Sequence, residues 1–159
     1  MNSNSSVVQG VELLQEVREL TLALIADLDD DQMIGPRLDI VNPLRWEIGH
    51  VAWFQEYWLL RHLYGRRPIL ACGDKLYDSA RVAHETRWDL VLPSKAETLD
   101  FMQRVLDEVL NLWNQKENAP DLGDDAPYFF LSCSSMRTCT RKRSPMRGKR
   151  SVIPHRDSR

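Results

Sequence analysis

One histidine of this chain, His50, lies where helical spacing would surround it with large aromatic rings. Four rings occupy the positions that share one helix face with it: Trp46, Trp53, Phe54 and Tyr57. A neutral imidazole in a dry, ring-lined pocket is a good metal ligand or proton-transfer group, because little water competes for its lone pair. The same pattern fits a hydrogen-bonded core histidine, so the spacing alone leaves both interpretations open.

The apolar pattern predicts an all-α domain with His50 on its second helix. Apolar residues recur every three or four positions over 7–28, which indicates the first helix. Asn42 and Pro43 predict the N-cap and first turn of a second helix, which Gly65 ends. Residues 65–93 show no sustained period, and so long a loop in a small domain is more often functional than idle.

Two further helix starts follow this loop. Ser94 and Glu97 have the spacing of a capping box, which predicts a third helix. Asp124 or Asp125 can cap a fourth, with a proline in its first turn. Residues 1–131 are therefore predicted to form an antiparallel four-helix bundle whose fourth helix is incomplete.

The charge of the chain divides near Leu131. From Leu131 to Arg159 there are nine Lys or Arg against one acid, which gives +8, whereas residues 1–130 carry −10. Residues 132–159 are predicted to be a disordered basic tail. A complete fourth helix would instead need two or three more amphipathic turns there. One interpretation of the tail is an arm that binds the phosphates of nucleic acid, or another acidic partner.

A shifted reading frame explains more of this tail. With codon choices that each residue allows, a shift of one base turns 131–135 into a hydrophobic run and then yields a His-x-x-x-His pattern. That pattern is a metal-ligand spacing on one helix face. We therefore expect a truncated, frameshifted gene product after about Leu131, and nucleic acid is the less favoured partner.

Length and cysteine content set the broad class. A chain of 159 residues suits a single domain with a hydrophobic core. Its three cysteines, Cys72, Cys133 and Cys139, have neither a CxxC pair nor zinc-ligand spacing, so we expect no disulfide framework and a cytoplasmic location. The sequence has no apolar run long enough to cross a bilayer, so no membrane partner is predicted.

Several short motifs together point to a known family. They are the Gly-His-x-x-Trp-Phe context of His50, Leu76–Ser79, Thr86–Leu90, and the acidic pair at 124–125 before an aromatic helix start. With these motifs, residues 12–131 resemble the N-terminal DinB-like domain of the ergothioneine synthases and of the related selenoneine synthases.

The resemblance implies a four-helix bundle with three histidine ligands for Fe(II). It also implies a following sulfatase-modifying-factor-like domain that completes the active site, and a reaction that joins sulfur or selenium to hercynine with O₂ as oxidant. His50 matches the metal ligand on helix two. The other two ligands would come from a His-x-x-x-His motif on helix four, where this chain has Ser135–Thr140.

From this resemblance we expect an N-terminal domain fragment that does not bind Fe(II) tightly and is inactive alone. Carboxylates such as Glu47 or Glu56 would have to replace the missing imidazoles, and neither His62 nor His84 matches a family ligand. The small-molecule partners implied are hercynine and a thiol or selenium donor, and the missing partner domain is the C-terminal one. A different DinB-like thiol transferase remains an alternative.

Arg87 is the candidate substrate-binding residue. Arginine forks bind carboxylates bidentately, and both hercynine and a γ-glutamylcysteine-type donor carry them. The alternative is an ion pair between Arg87 and Asp89 or Glu85.

Overall fold

The computed structural model describes residues 3–114 and Cys133, with side chains from residue 12 onward. In these ranges the chain is helical and has no strand, which confirms the predicted all-α class. The α-helices are α1 (Ser3–Ile25), α2 (Asp30–Ile34), α3 (Leu44–Gln55), α4 (Gly73–Tyr77) and α5 (Lys95–Asn114). A π-helical segment, Glu56–His62, continues α3 directly, and a single 3₁₀ turn covers His84–Thr86.

The sequence signal at the start of α5 is correct. The Ser94–Glu97 capping box is present, since the Ser94 amide donates to Glu97 Oε2 at 2.8 Å and the Glu97 amide donates to Ser94 Oγ at 3.2 Å. The predicted loop over 65–93 is wrong in one respect, because it contains α4 and the 3₁₀ turn. Elements this short complete too few turns to give an apolar period.

The predicted cap of the second helix is also wrong. Pro43, not Asn42, is the N-cap of α3, and it provides no side-chain hydrogen bond. The Asn42 side chain instead donates to Glu47 at 2.6 Å. Asn42 therefore lies one residue too far out to bond the free amides of the first turn.

The core lies where α1, α3 with its π-helical continuation, and α5 face one another. Its fully buried large side chains come from several elements: Ile25, Met33, Trp46, Ile48, Leu59, Leu60, Tyr77, Met102 and Val105. A buried arginine links the three main helices. Arg18 on α1 donates to Gln55 Oε1 on α3 at 2.9 Å and to the Met102 carbonyl on α5.

Residues 115–132 and 134–159 lie outside the described ranges, and with them the predicted fourth helix and most of the basic tail. Cys133 is described: it is helical and fully buried against the core. Burial raises the pKa of its thiol to about 12. The boundary at 131/132 stays a prediction. No helix in the described part is long and apolar enough to span a membrane.

We expect Arg18→Ala to lower the free energy of unfolding by about 3 kcal/mol, because it strands the Gln55 amide and the Met102 carbonyl in the core. Urea denaturation measures the change. Arg104→Ala is the matched control, since Arg104 is largely exposed and only loosely paired with Asp100, and it should change stability by less than about 0.5 kcal/mol. Equal losses of unfolding free energy in the two variants would contradict a stabilising role for the Arg18 hydrogen bonds.

Candidate metal centre

His50 lies inside α3 and is 9% exposed. Its ring stacks on Trp46, with ring centroids 4.8 Å apart and an interplanar angle of 12°. Trp53 stacks on it as well, at 5.8 Å and 22°, and Phe54 meets it edge-on at 6.3 Å. Three of the four predicted rings thus contact His50, and the fourth, Tyr57, packs against Trp53 instead.

One hydrogen bond fixes which ring nitrogen of His50 carries the proton. Nδ1 lies 2.7 Å from the carbonyl oxygen of Tyr77. A carbonyl oxygen can only accept, so Nδ1 carries the hydrogen and the lone pair of the neutral ring is on Nε2. Metal-binding histidines commonly show this arrangement, with one nitrogen donating to a carbonyl and the other free for the metal.

The surroundings also keep His50 neutral. Burial lowers its pKa below the ordinary histidine value, and this outweighs the opposing effects of the Tyr77 hydrogen bond and of the Glu47 carboxylate. Only a neutral imidazole has a lone pair for a metal, so burial favours the form that binds.

The short helix α4 supplies acceptors to three consecutive ring donors of α3. Besides the His50 bond to Tyr77, Trp46 Nε1 donates to the Leu76 carbonyl at 2.7 Å, and Trp53 Nε1 donates to Asp74 Oδ1 at 2.7 Å. His50 and the two indoles that stack on it are therefore oriented by a single five-residue element. Tyr77, which the sequence shows only as part of the Leu76–Ser79 motif, thus orients His50 through its carbonyl.

Asp74 is the charged residue of α4 at this contact. Arg61 of the π-helical segment binds it with both terminal nitrogens, at 2.6 and 3.0 Å. These bonds, and the one from Trp53, lower the pKa of Asp74 to about 2. The carboxylate is thus ionised at neutral pH and accepts hydrogen bonds from two other elements.

Gly49 allows α4 to approach α3. A Cβ atom at this position would lie 2.3 Å from two ring atoms of Tyr77 and 2.5 Å from its hydroxyl oxygen. The Tyr77 ring therefore lies against the bare backbone beside His50, and burial raises its pKa to about 12. The sequence motif therefore has glycine before His50 because a larger residue at position 49 would overlap Tyr77.

Arg87 lies beside the same aromatic group. Its guanidinium carbon is 3.9 Å from the centroid of the Trp46 ring, and its nitrogens donate to Asn42 Oδ1 at 2.7 Å and to the Val82 carbonyl at 3.0 and 3.3 Å. Asp89, one of the two alternative partners, pairs with Arg37 instead. Arg87 and His50, the two candidate site residues, thus contact one indole, and carboxylate binding by Arg87 stays a prediction.

The other candidate ligands do not join His50. His84 Nε2 contacts the Val41 carbonyl at 2.9 Å, and His62 is exposed and packs edge-on against Trp58. Glu56 is buried and accepts from the Ile69 amide, while Glu47 accepts from Asn42. Within the described ranges, no three His, Cys, Asp or Glu side chains come together as a metal site, so these residues do not form the expected three-ligand iron site.

Comparisons with known proteins point to one family. A profile of the DinB superfamily matches residues 13–128. The chain is 33% identical over 100 residues to the hercynine oxygenase of Mycolicibacterium thermoresistibile, a match that covers 62% of this chain and 22% of the relative. It is 34% identical over 83 residues to the hercynine oxygenase of Mycolicibacterium smegmatis, covering 50% and 19%. The chain thus spans about a fifth of the length of these relatives.

We expect Gly49→Ala to lower the free energy of unfolding by about 3 kcal/mol and to alter the near-ultraviolet circular dichroism of the tryptophans, because the new methyl group overlaps the Tyr77 ring. Gly65→Ala is the control. Gly65 has a positive φ but open space around its Cβ position, so only about 1 kcal/mol of backbone strain is expected there. A milder effect at Gly49 than at Gly65 would contradict the close approach of α4.

We also expect stability to depend on the protonation of His50. Because the folded pKa is lowered, the unfolded chain takes up the proton at a higher pH than the folded chain does. The free energy of unfolding should therefore fall as the pH decreases below about 6.5. Urea denaturation between pH 7.5 and 5 measures the slope, which should be shallower in His50→Gln; equal slopes would disprove the contribution of His50.

Proposed function

The chain belongs to the DinB superfamily, and on that premise we propose that it is the iron-binding helical domain of an ergothioneine- or selenoneine-type synthase. In this proposal His50 provides one iron ligand through Nε2. The enzyme would join sulfur or selenium to the imidazole of hercynine, and this chain alone would have little or no activity.

One observation carries the proposal: the hydrogen bond from His50 Nδ1 to the Tyr77 carbonyl leaves the Nε2 lone pair for a metal. Burial favours the neutral ring, and the stacked indoles limit its rotation. The two relatives, both named hercynine oxygenases, support the choice of substrate class.

A count of histidines supports the proposed inactivity. The chain contains four: His50, His62, His84 and His155. His62 packs against Trp58 and His84 Nε2 contacts the Val41 carbonyl, so in this proposal a single copy of the chain has only His155 left as a further imidazole. A site of three imidazoles cannot be completed in this way. When iron is bound in a complete site, it supplies the activation of O₂.

Arg87 is proposed to face the substrate at this centre. Its guanidinium lies on Trp46, and Trp46 stacks on His50. Only the Trp46 indole would therefore separate a carboxylate bound to Arg87 from the proposed metal ligand. Three of its five donors hydrogen-bond within the chain, and they keep the fork in one orientation.

The free thiol of Cys72 supports the cytoplasmic location that the sequence predicts.

Metal titration and oxygen uptake test this function. Anaerobic titration with Fe(II), or with Co(II) as a spectroscopic probe, should show weak binding that His50→Gln reduces at least about tenfold. Oxygen consumption with hercynine, a thiol donor and Fe(II) should stay at background, because two ligands are missing.

His62→Gln is the matched control, since His62 is exposed at the end of the π-helical segment and its ring packs edge-on against Trp58. It should leave metal binding unchanged. Metal binding that is the same with and without His50 would disprove its role as a ligand. Hercynine-dependent turnover well above background would disprove the inactivity of the chain.

A further inference from the structure

A closed circuit of side-chain contacts lies beside His50, formed by Trp53, Tyr57, Arg61 and Asp74. Trp53 stacks on His50 and packs against Tyr57, with ring centroids 5.3 Å apart. The guanidinium carbon of Arg61 lies 4.8 Å from the centroid of the Tyr57 ring. Arg61 then binds Asp74, and Asp74 accepts the indole hydrogen of Trp53. One carboxylate therefore closes the circuit.

The π-helical segment places Arg61 in this circuit. Tyr57 and Arg61 are four residues apart in this segment, so their side chains share one face and Arg61 lies over Tyr57. The Arg61 fork is then directed at α4, where it meets both oxygens of Asp74. The π segment thus connects the end of α3 to α4 through a charged bond.

The steric fit of α4 on α3 depends on the same contact. A Cβ atom at Gly73 would lie 3.0 Å from Cδ1 of Trp53, so the residue before Asp74 already touches the indole. Leu76 and Tyr77, which accept from Trp46 and His50, follow within one turn of Asp74. A displacement of Asp74 would therefore move both carbonyl acceptors.

We propose that Asp74 is a positioning residue for His50. By holding Trp53 and Arg61, it fixes α4 against α3, and α4 then keeps the His50 hydrogen on Nδ1 through the Tyr77 carbonyl. The proposal rests on the proposed function only in describing His50 as a metal ligand. Its test needs no metal, so its failure would be distinguishable from failure of the proposed function.

The test compares the metal-free chain with Asp74→Asn. Asparagine keeps the shape but presents an N–H₂ group to the Arg61 guanidinium. We expect hydrogen exchange at both indole nitrogens, Trp53 Nε1 and Trp46 Nε1, to become about tenfold faster, as for the loss of a charge-assisted hydrogen bond. Two-bond ¹H–¹⁵N correlation spectra should show His50 changing from the Nδ1–H form to a mixture of both tautomers.

Asp89→Asn is the matched control, because it breaks an exposed arginine pair elsewhere, and it should leave the His50 tautomer and both indoles unchanged. Amide exchange along α5 in Asp74→Asn should also stay unchanged, which separates a local effect from general destabilisation. The proposal is overturned when Trp53 exchange alone accelerates while His50 keeps its Nδ1–H form.

A second variant covers the case in which Asp74→Asn does not fold. Arg61→Met keeps an unbranched side chain over Tyr57 and leaves Asp74 free to accept from Trp53. It should shift the His50 tautomer and the indole exchange in the same direction, by a smaller factor. A His50 signal identical to that of the unmodified chain would overturn the proposal here too.

Discussion

The burial of three ring donors in a row is the constraint on which the site depends. Trp46, His50 and Trp53 all lie on the buried side of α3, and each carries an N–H group that loses water on folding. A buried donor without an acceptor costs about 1–3 kcal/mol. The five residues of α4 supply all three acceptors, so α4 is required wherever these rings are buried.

The approach of α4 sets the demands on its neighbours. Gly49 and Gly73 lie where side chains would overlap the rings of Tyr77 and Trp53, so each ring packs closer to the opposite backbone than a side chain there would permit. The charge of Asp74 is then balanced by Arg61, which the π-helical segment provides. The glycines, the π turn and the ion pair serve the same contact between α3 and α4.

The sequence was informative where a pattern was local or periodic. The aromatic face around His50, the Ser94–Glu97 capping box and the helices α1, α3 and α5 follow from spacings within one element. The contacts of α4 with α3 were not predictable in this way, because they join residues 21 to 30 positions apart. The prediction that Asn42 caps α3 was wrong, since its side-chain amide bonds Glu47 and Arg87 rather than the first turn of α3.

The way His50 is held bears on the order in which such a site forms. Its tautomer, its neutrality and its ring orientation are all set by residues of α3 and α4, without any contribution from a metal. The cost of orienting this ligand is therefore met during folding. Under the proposed function, a metal that binds later meets an already oriented nitrogen, but it must take further ligands from elsewhere, because the described residues bring no three His, Cys, Asp or Glu side chains together. The orientation of His50 is thus complete within residues 44–77, and under the proposed function the affinity for iron depends on the number of further ligands.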